Sequence, residues 1–141
     1  MMRCLGLDLG TRTLGISLSD TTATIASTLK TIRFADEDYD SLLPEIQALV
    51  DEFQVTTVVL GLPKNMNNSI GPRGEATMMF QQKLEAYLGI AVVLQDERLS
   101  TVEATNYMIA ADMSRKKRKA KVDSLAANII LQTYLDKMKG R

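Results

Sequence analysis

Apolar positions along this chain follow two periods, one compatible with strands and one with helices. Met2–Leu9 places Leu5, Leu7 and Leu9 on one face, and Thr13–Ser19 follows after Gly10-Thr11-Arg12, a connection of hairpin length. A third β-compatible run, Thr24–Phe34, comes after the polar turn Asp20-Thr21-Thr22, so three successive antiparallel strands are predicted. From Asp36 the period lengthens: Leu42, Leu43, Ile46, Leu49, Val50 and Phe53 recur at helical spacing. Pro44 is tolerable only in a first turn, which starts the regular helix near Ser41.

Val55–Leu60 is a β-branched run without alternation, the pattern of a strand covered on both faces. Beyond Gly61-Leu62-Pro63, the Asn-rich stretch Lys64–Gly71 reads as a loop that could face substrate or simply turn. Pro72 suits the first turn of a helix reaching Leu88, Gly89 ends it, and Ile90–Gln95 is the next strand. Ser100 and Glu103 match a capping box for a helix to about Ala111, and Val122–Met138 is the last helix. The order is β-β-β-α-β-α-β-α-α. No repeat or linker interrupts it, so one α/β domain over residues 1–141 is expected. Met78, Met79 and Met108 are expected to fill gaps in the core.

No basic start precedes an apolar signal core and no run of ~18 apolar residues occurs, so a cytoplasmic protein without membrane association is expected. The single cysteine, Cys4, lies in the first strand and reads as a small buried hydrophobe. Histidine is absent, which removes Ser-His-Asp and Cys-His catalysis and any ordinary zinc site. Acid chemistry must fall to carboxylates, whose hard oxygens suit Mg²⁺ or Mn²⁺.

Several carboxylates stand where a core should be. Asp8 interrupts the first strand, and a buried carboxylate must protonate, pair or bind a metal. Asp96 and Glu97 follow one another at the end of the last strand, where open α/β sheets bind ligands. Side chains alternate along a strand, so only one of the two shares a face with Asp8. Asp123 stands at the edge of the apolar stripe formed by Ala126, Ala127, Ile130 and Leu131, although an acid there could equally favour a helix start. Asp20 reads as a turn residue.

Charge adds a candidate partner. Seventeen Lys and Arg balance 17 Asp and Glu, so bulk charge does not bring the chain to nucleic acid. The distribution is uneven, however: acids crowd residues 36–52, while Arg115, Lys116, Lys117, Arg118, Lys119 and Lys121 form RKKRKAK just before Asp123. Such a run is commonly a solvated face, but beside a metal site it could hold a phosphate backbone. Arg12 and Arg98, each near a candidate ligand, could add clamps.

The segments DLGTRTLGISLSD (Asp8–Asp20), VVLGLPKNMN (Val58–Asn67), DERLST (Asp96–Thr101) and KVDSLAANIILQTYL (Lys121–Leu135) occur in the order and spacing of a known family. Together they resemble the YqgF/RuvX family of Holliday junction resolvases and pre-16S ribosomal RNA processing nucleases. The resemblance implies a ribonuclease H-like fold with strand order 3-2-1-4-5. It also implies Asp8, Glu97 and Asp123 as the catalytic, metal-binding acids, with Asp96 the fallback should the strand's parity run the other way. Thr13 departs from the basic residue the family often carries. A Mg²⁺- or Mn²⁺-dependent nuclease acting on a DNA junction or a ribosomal RNA precursor follows, with a homodimer favoured by paired cleavage of a junction. DLGTRTLG also looks like the phosphate hairpin of actin-like ATPases and sugar kinases, though these need two such domains. A non-catalytic RNA- or ribosome-associated module is the third reading.

Overall fold

The computed structural model describes residues 2–64, 67, 69–96 and 115–140, with the backbone alone over 115–123. Five strands, β1 (Cys4–Leu9), β2 (Thr13–Ser19), β3 (Ala26–Arg33), β4 (Thr57–Leu62) and β5 (Ala91–Asp96), form one sheet in the order β3-β2-β1-β4-β5. β1–β2 and β2–β3 are antiparallel, whereas β1–β4 and β4–β5 are parallel. β1 is therefore central, and the carboxyl ends of β1, β4 and β5 share one edge. Around the sheet lie α1 (Leu42–Phe53), α2 (Pro72–Leu88) and α3 (Arg115–Met138). The helix expected over Ser100–Ala111, Met108 included, falls outside the described residues.

Strand alternation sorts the apolar residues into two layers. Leu5, Leu7, Leu9, Leu14 and Ile16 pack with Leu42, Ile46 and Leu49 of α1 and Phe80 and Leu84 of α2. The opposite face places Cys4 and Val59 against Ile130, Leu131 and Leu135 of α3. Cys4 is buried as expected, and burial raises its thiol pKa.

Where the elements differ from expectation, local bonding explains the shift. β1 starts at Cys4 rather than Met2, and β3 is trimmed to Ala26–Arg33 because Asp20 organises the preceding turn. The Asp20 carboxylate accepts from the Thr22 hydroxyl and from the backbone N–H groups of Thr24 (2.8 Å) and Ile25 (3.0 Å). These bonds hold its pKa well below the usual carboxylate range. A 3-10 turn, Tyr39–Ser41, precedes α1, which is followed by Gln54 in the left-handed conformation. β4 runs to Leu62 instead of Leu60 because Gly61 and Leu62 still pair with Gln95 and Asp96. Gly89 ends α2 with φ +70°, a conformation that favours glycine. Met78 and Met79 are exposed, which corrects their expected place in the core: α2 turns Gly74, Thr77, Phe80 and Leu84 inward, and these two project outward.

The largest departure concerns α3. Its described residues reach back to Arg115, seven residues before the expected Val122, so RKKRKAK is part of the helix. Lys and Arg are good helix formers, and no Gly or Pro separates them from the apolar stripe.

Candidate active site at the carboxyl edge of the sheet

The position of α3 on the sheet follows from a glycine. A Cβ on Gly6 would lie 2.7 Å from Leu131 Cβ and 3.0 Å from the Ala127 carbonyl oxygen, so only glycine lets the helix approach this closely. Three contacts then fix the helix direction. Lys139 Nζ donates to the Thr22 carbonyl at 3.1 Å, and Gln132 bridges the Ala26 N–H and the Thr24 carbonyl at 2.8 and 3.0 Å. Ser17 Oγ donates to the Ala127 carbonyl at 2.8 Å. The register pairs Gly6 with Ser17, so α3 runs antiparallel to β1 with its amino-terminal half over the carboxyl end of the strand.

This polarity sets two levels side by side. Asp8 is two residues beyond Gly6 on the same face, about 6.6 Å along the strand. Residue 123 is four residues before Ala127, about 6 Å along the helix axis. The backbone of Asp123 therefore stands level with Asp8 across the α3–sheet interface. Asp8 is half-buried and is paired laterally with Gly15 on β2. One residue past the Leu7–Leu60 pair, the register with β4 brings it level with Gly61. Its neighbours in the sheet on both sides are thus glycines, which send no side chain up beside the carboxylate.

The remaining candidates divide. Asp96 ends β5 with the parity of Val92 and Leu94, which belong to the α1/α2 layer, whereas Val93 belongs to the α3 layer with Cys4. Asp96 and Asp8 are therefore on opposite faces, and Asp96 is not brought to Asp8. Glu97 and Arg98 lie outside the described residues. Arg115, Lys116, Lys117, Arg118, Lys119 and Lys121 occupy the turns of α3 that lead up to Asp123. Arg12, at the β1–β2 tip, meets Asp36 at 3.6 Å, with both side chains largely exposed. The backbone there is tied down as well: Phe34 N–H donates to the Arg12 carbonyl at 3.0 Å and Glu37 N–H to that of Thr11 at 2.8 Å.

Arg73 is a residue that the sequence pattern does not single out. Its guanidinium donates to the Leu9 carbonyl oxygen at 2.9 Å and to the Tyr39 hydroxyl at 2.6 Å, at the very end of β1. The signal available is its place in the first turn of a helix starting at Pro72, hence at the same sheet edge as Asp8. Gly15 is not singled out in sequence and Gly61 reads there as a strand end, although glycine inside a strand marks a close approach.

Among the described residues, no three Asp, Glu, Cys or His side chains enclose a metal site. The chemistry of the donors on this face nevertheless fits a hard divalent cation. The chain lacks histidine, and Cys4 is sealed in the α3 layer, which leaves carboxylate oxygens.

Comparison with known proteins agrees with this architecture. A family described as RuvX, Holliday junction resolvase, matches residues 2–137. A protein of Geobacillus kaustophilus named “Putative pre-16S rRNA nuclease” is 51% identical over 135 residues, covering 96% of this chain and 98% of that one. Among solved structures, Thermus thermophilus RuvC in complex with a Holliday junction substrate superposes with a TM-score of 0.62 at 13% identity, covering 99% of this chain and 97% of RuvC. The fowlpox virus resolvase, in complex with Holliday junction DNA, gives 0.60 at 10% identity, covering 97% and 99%.

Proposed function

Because the chain belongs to the RuvX family of Holliday junction resolvases, we propose that it is a divalent-metal-dependent nuclease hydrolysing phosphodiesters of structured nucleic acid. The observation that carries this reading is the antiparallel docking of α3 on β1, which sets the Asp123 backbone level with Asp8. Asp8, Asp123 and Glu97 would hold Mg²⁺ or Mn²⁺. Glu97 is preferred to Asp96 because Asp96 shares the parity of Val92 and Leu94 and so stands on the face opposite Asp8. Such a cation, when bound, supplies an activated water and charge stabilisation for in-line displacement at phosphorus.

The protein's own contribution is placement. The glycines level with Asp8 on β2 and β4 put no side chain beside it in the sheet, which leaves room for a cation and the phosphate that the cation would hold. The basic turns of α3 hold the backbone of the substrate through charge, independently of base sequence. Arg12 adds a further cation, since its exposed pair with Asp36 is weak enough for a phosphate to displace. The enzyme works as a single domain in the cytoplasm, and on a junction, paired cleavage would favour a homodimer.

The 51% identical relative is named for pre-16S rRNA, so a ribosomal RNA precursor is the first substrate to try, beside a DNA four-way junction. The test is cleavage of both, with Mg²⁺ and with Mn²⁺, at equal enzyme concentration. Metal-dependent cleavage of either supports the nuclease. Binding of both without cleavage would favour an RNA- or ribosome-associated module, and saturable ATP binding the kinase-like alternative.

A further inference from the structure

We propose that Arg73 is a positioning residue for Asp8, acting through the main chain that follows it; the proposal rests on the metal-ligand reading of Asp8. Leu9 is the last residue of β1, and the pairing with β4 ends at Leu7. The Leu9 carbonyl instead accepts from Arg73 at 2.9 Å, and the same guanidinium donates to Tyr39 Oη at 2.6 Å. One rigid fork thus joins the end of the strand to a second anchor.

That anchor is itself well held. The Tyr39 ring sits between Phe34 and Phe80, with centroids 5.9 and 6.1 Å away. The helix turn that carries Arg73 is fixed too: a Cβ on Gly74 would lie 2.8 Å from the Pro63 carbonyl oxygen, and Thr77 Oγ1 donates to the Arg73 carbonyl at 2.9 Å. Among the described residues, no carboxylate lies within ion-pair distance of Arg73. Its charge is spent on a carbonyl and a phenol, an arrangement that fixes a peptide plane.

The geometry also separates positioning from substrate contact. α2 packs on the face of Leu5, Leu7 and Leu9, opposite the face that Asp8 shares with Cys4 and α3. Arg73 reaches the Leu9 peptide from behind, so it orients the Asp8 main chain without standing beside the carboxylate.

The experiment measures Mn²⁺ binding by electron paramagnetic resonance in the folded, full-length protein, with nucleic-acid affinity measured in parallel in EDTA. Arg73→Met is expected to weaken Mn²⁺ binding by about 3- to 10-fold, at or below the range for outer-shell partners. Nucleic-acid affinity and its salt slope should not change. Tyr39→Phe, which keeps the ring and removes the acceptor, should shift Mn²⁺ binding in the same direction by less, and Arg73→Lys should recover only part of the loss. If Arg73→Met does not fold, Arg73→Lys and Tyr39→Phe decide the matter. Unchanged Mn²⁺ binding in the folded variants, or a loss confined to nucleic-acid affinity, overturns the proposal. Asp8→Asn separates the two levels: its losing Mn²⁺ while Arg73→Met retains it defeats positioning alone, and its retaining Mn²⁺ defeats the metal-ligand reading and this proposal with it.

Discussion

Ser17 Oγ donates a 2.8 Å hydrogen bond to the carbonyl oxygen of Ala127, joining β2 to α3 across 110 positions of sequence. The bond is buried and lies beside Gly6, where the helix comes too close to the sheet for any larger residue. It therefore sets the height at which the amino-terminal half of α3 meets β1.

Gly6→Ala should loosen that contact. The new Cβ would collide with Ser17 Oγ and fall 2.7 Å from Leu131 Cβ, so side chains and helix must both move. Overpacking of this kind costs about 1–3 kcal/mol. Urea unfolding should show a lower midpoint at unchanged slope, and cleavage should fall further than stability alone explains.

Asp8→Asn should abolish cleavage while leaving nucleic-acid binding largely intact, because the amide is a poor substitute for a carboxylate ligand but removes no basic group. Chelation of the wild type with EDTA should reproduce the loss, reversibly on adding Mg²⁺ or Mn²⁺. Wild-type turnover by the variant under metal-replete conditions would remove Asp8 from the site.

Neutralising Arg115, Lys116, Lys117, Arg118, Lys119 and Lys121 to glutamine keeps good helix formers in α3 while removing its charge. Binding should weaken, and the slope of log K against log salt should flatten by about 0.7–0.9 for each phosphate no longer neutralised. A slope equal to that of the wild type would place the interface elsewhere.

Asp20 supplies a pH-dependent test. Its hydrogen bonds hold the folded-state pKa below the unfolded value, so in acid the unfolded chain binds more protons and stability rises with pH. The contribution is complete above the unfolded carboxylate pKa of about 3.9 and is lost as pH falls toward the folded value. Asp20→Asn keeps an acceptor for Thr24 and Ile25 but does not titrate. Its melting temperature should therefore decline less than that of the wild type between pH 5 and the acid limit.

The parts of this fold that are legible in sequence are those where local chemistry and packing agree. Alternation in β1 and β2, Pro72 and Gly89 bounding α2, and the turn at Asp20 each have a local cause, and the structure keeps them. The start of α3 is hard to place because a block of like charges looks unfavourable for a helix, whereas intrinsic propensity and the downstream apolar stripe carry the helix through it. Gly61 looks like the end of a strand because its pairing with Gln95 is a tertiary fact. The oddness of Asp8 is plain from one strand, but its setting is not. The flanking glycines come from two other strands, and the Arg73 fork comes from 64 residues away.

The burial of Cys4 beneath Ile130 and Leu131 makes the lone thiol a native reporter of breathing at that interface. An alkylating reagent can reach it only when the last helix lifts from the sheet or the whole molecule opens. Labelling rates compared between wild type and Gly6→Ala would therefore time that opening directly, without an engineered cysteine.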